Sequence, residues 1–249
     1  MGMFCYARTL RALLLACGLP LVAPASVLAA NLLSPAGAVL IKQSAEPFGI
    51  ATAILDGGGV HDKWLGLQSR LDDDMVQLAL CDGDRERCAS PAALQLLAIV
   101  DTARARDGRA RLGEINRAVN LAIHPASDIV QYGAIDVWAS PLATFNHHAG
   151  DCEDYAIAKL AALRLAGISA DDLRLVIARD TRLGEDHAVA TVRLDGHWLT
   201  LDNRRMAMVE DSDVRNYRPT FVMGQQGAMK YAYAPAISAT VRLSVAQAD

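Results

Sequence analysis

The sequence predicts an α+β fold in which a helical N-terminal half feeds an antiparallel sheet. Three observations carry that expectation. Between residues 60 and 123 apolar side chains recur at helical spacing; residues 155–166 are apolar nearly all round; and from residue 173 the pattern switches to short strand-like runs, two of them flanking Asp195-Gly196. The 249 residues, 52% of them apolar and 21% charged, are enough for one or two domains with a real core. A net charge of -4 argues against bulk nucleic-acid binding.

The first thirty residues predict an export signal: Arg8 and Arg11 form a positive start, an apolar stretch follows over 12–27, and Leu28-Ala29-Ala30 ends in small residues. An uncleaved anchor is the alternative, opposed by Pro20 and Pro24. The remainder, 31–249, reads as a single domain with a helical lobe at about 58–170 and a sheet lobe at about 171–235. Residues 31–58 are apolar and Gly/Ala-rich without clear period. Trp64, Leu67, Leu71, Met75 and Leu78 mark one helix, and Ser90-Pro91 opens a second that runs to about Arg106. Leu112, Ile115, Val119 and Ile123 mark a third. Residues 127–141 read as turn and extended chain. The apolar helix over 155–166 is to be buried on most sides, with Gly167 as its C′ residue. Strands are expected at 173–178, 187–194 and 197–202, and shorter ones at 220–224 and 230–234.

Cysteine usage fits an exported protein. With the signal removed, Cys81, Cys88 and Cys152 remain. Cys81 and Cys88 flank a short polar loop and can pair in an oxidising compartment, which leaves Cys152 odd. A buried packing cysteine is one reading of it; a nucleophile is the other.

The hairpin permits a geometric test. If Asp195-Gly196 is a two-residue turn, Leu194 faces His197 and Asp202 falls opposite Val189, two residues from His187. His187 and Asp202 then share a face as diagonal neighbours, close enough for an aspartate to orient an imidazole. Cys152 lies at the start of the apolar helix, where partial positive charge favours a thiolate. Yet Asp151, Glu153 and Asp154 crowd it. Each carboxylate opposes the thiolate by about 2 kcal/mol at an effective dielectric near 20. A bound Ca²⁺, suited to hard oxygens from one short loop, would cancel that charge. Acidic residues also favour helix N-termini without a metal.

The strings "GDCEDYAIAK", "EDHAVATV" and "WLTLDNR", with "VNLAIHP", "DVWASP" and "YRPTFVMG" around them, resemble the bacterial transglutaminase-like cysteine proteinases of the LapG type. The resemblance runs from about Val119 to Gly224. It implies a papain/transglutaminase-like core with the nucleophile at the start of a central helix. Cys152 would be that nucleophile, His187 its base and Asp202 the orienting partner. Asp151, Glu153 and Asp154 match the positions on which the family's calcium dependence rests. The resemblance further implies a periplasmic location, a large surface adhesin as substrate, and an inner-membrane cyclic-di-GMP receptor as inhibitory partner. His147 and His148 compete as bases by proximity, and Trp138 either fills the core or lines the cleft. The same thioester taken by an amine would make an acyltransferase, and a catalytically silent calcium-binding module is the reading outside enzymes.

Overall fold

The computed structural model describes residues 44–233. The expected signal segment lies outside them. A short edge strand, β1 (Thr52–Ile54), precedes three helices: α1 (Gly59–Gly83), α2 (Pro91–Arg104) and α3 (Gly108–Ala122). A two-residue strand β2 (His124–Pro125), a helical turn α4 (Asp128–Tyr132), a short helix α5 (Pro141–His147) and strand β3 (Ala149–Gly150) lead into α6 (Cys152–Leu165). The chain then forms β4 (Leu173–Asp180), β5 (Glu185–Leu194), β6 (His197–Leu201), β7 (Val209–Glu210), β8 (Tyr217–Gly224) and β9 (Gly227–Tyr231).

Seven strands make one sheet in the order β1-β9-β8-β4-β5-β6-β7, with every pairing antiparallel. One face carries Leu175, Ala188, Ala190, Val192, Leu199 and Leu201 into a core shared with α1, α2, α3, α5 and α6. The other carries Val176, Ala178, Val189, Tyr217 and Val222 into a smaller cluster under Phe48 and Ile50. The residues expected to alternate do so because the side-chain period of a strand is two. No helix among the described residues is long and apolar enough to cross a membrane.

Local chemistry sets the helix boundaries. Ser90 caps α2 by accepting from the Ala93 amide, with Pro91 in the first turn. The 127–141 stretch departs from the extended reading at both ends. Ser140-Pro141 repeats the same signature, with Ser140 accepting from Ala143 N, and opens α5. Asp128 starts a single helical turn closed by Gly133 in the left-handed region. Helix α6 begins at Cys152, earlier than its apolar run, and stops in a Schellman arrangement: Ile168 N donates to Leu163 O, Gly167 N to Arg164 O, and Gly167 has φ +89°.

The hairpin joining β5 to β6 has φ 51° at Asp195 and 84° at Gly196, the sign pair a two-residue type I′ turn requires. Leu194 faces His197 and Ala190 faces Leu201, so the register is the expected one. Cys81 and Cys88 form a disulfide over a sequence separation of 7, tying the end of α1 to the approach to α2. Closing so short a loop constrains the unfolded chain modestly. Replacing both cysteines by serine is expected to lower unfolding free energy by about 2 kcal/mol, read from urea denaturation at pH 7.

Candidate active site

The strand pair β2–β3 builds the region around the sulfur. It is parallel, His124 against Ala149 and Pro125 against Gly150, with His124 N donating to His148 O and Ala126 N to Gly150 O. This brings α4 alongside the N-terminus of α6, and Asp128 beside Asp151 and Asp154. Asp128 Oδ2 accepts from Val137 N at 2.6 Å and Asp154 Oδ1 from Ala139 N at 2.9 Å, so the 137–139 segment is stitched to both. Gly150 is required here: a Cβ on it would stand 2.6 Å from Asp154 Cβ.

Carboxylate oxygens of Asp128, Asp151 and Asp154 lie within 4.8 Å of one another. Asp128 Oδ1, Asp151 Oδ1 and Asp154 Oδ2 are buried and have no hydrogen-bond partner, and neither has the hydroxyl of Tyr132 nearby. Burial, then the neighbouring carboxylates, push Asp151 well above the carboxylate range. Burial is the main cause that raises Asp154 to about 7, the amides of Ala139 and Asp151 opposing it and the charges of Asp128 and Glu153 adding to it. Two oxygens on one Ca²⁺ at 2.3–2.6 Å stand at most about 5.2 Å apart. Three carboxylates that offer hard oxygens at this spacing, each with one oxygen left unpartnered, fit a divalent cation. Sequence reasoning missed Asp128 because it lies more than twenty residues from the motif, and only the β2–β3 pairing brings it in.

Glu153 stands between this cluster and the sulfur, with ligand atoms of Asp151, Cys152 and Glu153 all within 4.8 Å of one another. Its Oε2 accepts from the Cys152 thiol at 2.9 Å. Burial, followed by the charge and hydrogen bond of Glu153, pushes the Cys152 thiol well up, against the amide of Ala188, which favours the thiolate. The predicted conflict between sulfur and carboxylates is therefore present in the structure. Cys152 is the first residue of α6 and is the only free cysteine among the described residues.

His187 is 1% exposed and sits in β5, one residue before the amide that faces the sulfur. Its Nε2 is 2.9 Å from Asp202 Oδ1. Asp202 Oδ1 also accepts from Arg204 N, and Oδ2 accepts from the Tyr217 hydroxyl at 2.6 Å. Burial pushes the Asp202 carboxyl up, but His187, Tyr217 and the Arg204 amide outweigh it and hold it well below the usual range. An ionised Asp202 accepts, so Nε2 donates to it. Nδ1 is buried without a partner. No hydrogen bond joins it to Cys152 in this conformation, in which the thiol donates to Glu153.

β6 ends at Leu201, so other elements hold the Asp202 loop. Asn120 Nδ2 donates to Asp202 O and Arg205 O, and Asn116 Nδ2 to Arg205 O and Met206 O. Arg204 reaches Asp180 Oδ2 at 3.1 Å and Glu185 Oε1 at 2.5 Å, tying that loop to the turn that leads into β5. Tyr217 also tilts against the His187 ring, centroids 5.4 Å apart. Its tyrosine stood in the "YRPTFVMG" string without a role, since nothing local to β8 announces a partner on another strand. His147 and His148 are exposed and pair with no carboxylate among the described residues, and the His147 ring packs against Tyr132. Trp138 is 4% exposed within the main core.

A thiol at the head of a buried helix, packed on an antiparallel sheet whose buried histidine is held by a carboxylate, places the molecule among thiol enzymes of the transglutaminase-like fold. The chain belongs to the family of bacterial transglutaminase-like cysteine proteinases, whose sequence profile matches residues 75–234. Its fold is shared by Legionella pneumophila LapG, with a TM-score of 0.51 at 21% identity over 64% of this chain and 87% of that one. A calcium-bound structure of Legionella pneumophila LapG is similar too, with a TM-score of 0.51 at 22% identity over 60% of this chain and 82% of the other. An EGTA-treated form of the same protein matches at 20% identity and a TM-score of 0.51, over 64% of this chain and 84% of that one. No curated protein matches the chain.

The Tyr217 hydroxyl bonds to a buried, ionised carboxylate. Tyr217→Phe is expected to lose about 2 kcal/mol of unfolding free energy at pH 7. Asp202 is held below its unfolded value, so its contribution is present above pH ~4 and is lost as pH falls toward the folded value. The gap between wild type and Tyr217→Phe should therefore narrow in chemical denaturation below pH ~4.

Proposed function

We propose that this chain is a periplasmic, calcium-dependent cysteine endopeptidase that cuts the N-terminal region of a large surface adhesin and so releases it. One observation carries the reading: a buried imidazole, oriented by Asp202 and with Nδ1 free, one residue from the amide that faces the sulfur of a family cysteine. His187 Nδ1 takes the Cys152 proton. The thiolate attacks the peptide carbonyl, and the imidazolium returns that proton to the leaving amine. His187 then takes a proton from water, which opens the thioester and restores the thiol. Asp202 holds the ring and stabilises its charged form. Backbone amides at the start of α6 favour the oxyanion.

Asp128, Asp151 and Asp154 would hold the cation, with Glu153 beside them. When bound, Ca²⁺ supplies two positive charges at the cluster that now opposes the thiolate. Legionella pneumophila LapG, which has been obtained calcium-bound and EGTA-treated, supports extending calcium to this chain. The export signal expected at residues 1–30 supports the periplasm. The adhesin substrate, and an inhibitory receptor that answers cyclic-di-GMP at the inner membrane, follow from the resemblance to the LapG type.

Incubating the protein with the N-terminal part of a large adhesin from the same organism, in calcium and with a labelled primary amine, tests the activity. New termini that vanish in Cys152→Ala and in EGTA are expected. Cleavage by Cys152→Ala, or amine incorporation in place of new termini, would overturn the reading.

Cation binding has its own signature in stability. Asp154 is raised to about 7 in the fold. In chelator its contribution is full below the unfolded pKa near 4 and is lost as pH rises through that higher value. Melting temperature in EGTA should thus fall between pH ~4 and ~7. Millimolar Ca²⁺ should restore it at pH 7, and Asp128→Asn should blunt that rescue.

A further inference from the structure

An apolar pocket of about 280 Å³ lies between α1, the last turns of α6 and the turn from β8 to β9. Cys152 is at the opposite end of α6. The volume falls just below the roughly 300–1,000 Å³ of drug-sized sites, so the pocket suits a smaller molecule. Leu71 and Met75 of α1, Leu160 of α6 and Met223 of β8 wall it, and all four belong to or pack on the main core. Three polar groups in the same wall have no partner. Trp64 is 6% exposed, and its indole N–H is buried without an acceptor. A buried indole N–H usually finds one. The other two tryptophans do: Trp138 Nε1 donates to Asp136 Oδ1 at 3.0 Å and Trp198 Nε1 to Ala45 O at 2.9 Å. A phenylalanine at position 64 would pack an aromatic ring with no donor left bare, so packing gives no reason for an indole.

The other two polar groups are charged and of opposite sign. Asp72 of α1 and Arg164 of α6 are the charged residues of the lining, and both are exposed. Among the described residues neither pairs with the other or with any other charged group. We propose that this pocket binds a small apolar α-amino acid as its zwitterion. The side chain lies between the apolar walls and leaves water. The carboxylate accepts from Arg164 and from the Trp64 N–H, and the ammonium donates to Asp72. A carboxylic acid alone would leave Asp72 unserved, an amine would leave Arg164 and the indole, and a hydrocarbon would leave all three. The lining includes none of Cys152, His187 and Asp202, so this site and the peptidase reading are tested separately.

Isothermal titration calorimetry of the full chain in calcium tests this with L-leucine, L-methionine and L-phenylalanine. Two analogues of leucine serve as controls: isocaproate, which lacks the ammonium, and isoamylamine, which lacks the carboxylate. At least one of the amino acids should bind, with a single site per chain, and should raise the melting temperature. For leucine, each analogue should bind about tenfold more weakly or worse. Arg164→Gln and Asp72→Asn should each weaken the amino acid by about the same factor. Both changes fall at exposed positions, so folding is preserved while the charge is lost. Trp64→Phe should weaken binding by about threefold or more. Absence of binding by all three amino acids at millimolar concentration overturns the proposal. So does an analogue that binds as tightly as leucine, or binding that survives both charge substitutions, because the pocket would then recognise apolar bulk and not a zwitterion.

Discussion

Burying carboxylates together with a thiol at one helix end is the constraint around which this molecule is arranged. The N-terminus of α6 offers about half a positive charge. Against it stand Asp151, Glu153 and Asp154 from the helix itself and Asp128 from α4. Protein groups meet only part of the demand: the amides of Val137 and Ala139 each serve one oxygen, and three oxygens remain bare. The irregular course of residues 124–150, otherwise hard to explain in a helical lobe, is the means of assembling this cluster. The β2–β3 pairing carries Asp128 in, and Gly150 lets the Asp154 side chain approach within a distance that any Cβ would forbid.

The basic side of the site is built on a different principle. His187 takes its place from a regular ladder, with Ala178 opposite it in β4. Asp202 lies just past the end of a strand, where the backbone has no ladder to fix it. Its position is supplied by side chains from three elements, the two asparagines of α3, Lys159 of α6 and Tyr217 of β8, and by Arg204 of its own loop, which reaches to the β4–β5 turn. Most of these donate to backbone carbonyls or to the carboxylate itself. The loop is held at many points, and its geometry does not rest on any one of them.

What the sequence made legible follows from the range of the interactions involved. The register of β5 and β6 depends on a two-residue turn, so His187 and Asp202 could be set on one face from local information. The burial of α6 could be read from composition, and Cys152 from cysteine arithmetic. Asp128, Tyr217, Asn116 and Lys159 could not be assigned in this way. Each acts through a partner that tertiary packing alone supplies: β2–β3 pairing, β8 against the β6 end, α3 against the 202–206 loop, and α6 against Leu201. Local misses fell at both ends of 127–141, on α4 and on α5. Ser140-Pro141 carries the same cap-and-proline signature that was read correctly at Ser90-Pro91, but the residues before it, rich in turn formers, masked the start of a helix only seven residues long.

The two halves meet at one sulfur, and they pull on it in opposite directions. The histidine side is ordered without any ligand: the ring is buried and held by Asp202 with Nδ1 unpartnered, and the Ala188 amide favours a thiolate. The carboxylate side keeps the proton on, through burial and through the Glu153 oxygen that accepts it. A thiol hydrogen-bonded to a carboxylate has to give up that bond before an imidazole can take its proton. Burial contributes most to that opposition and the carboxylate of Glu153 next. The carboxylates that look hostile to a thiolate are thus, after burial, what most affects the ionisation of this cysteine.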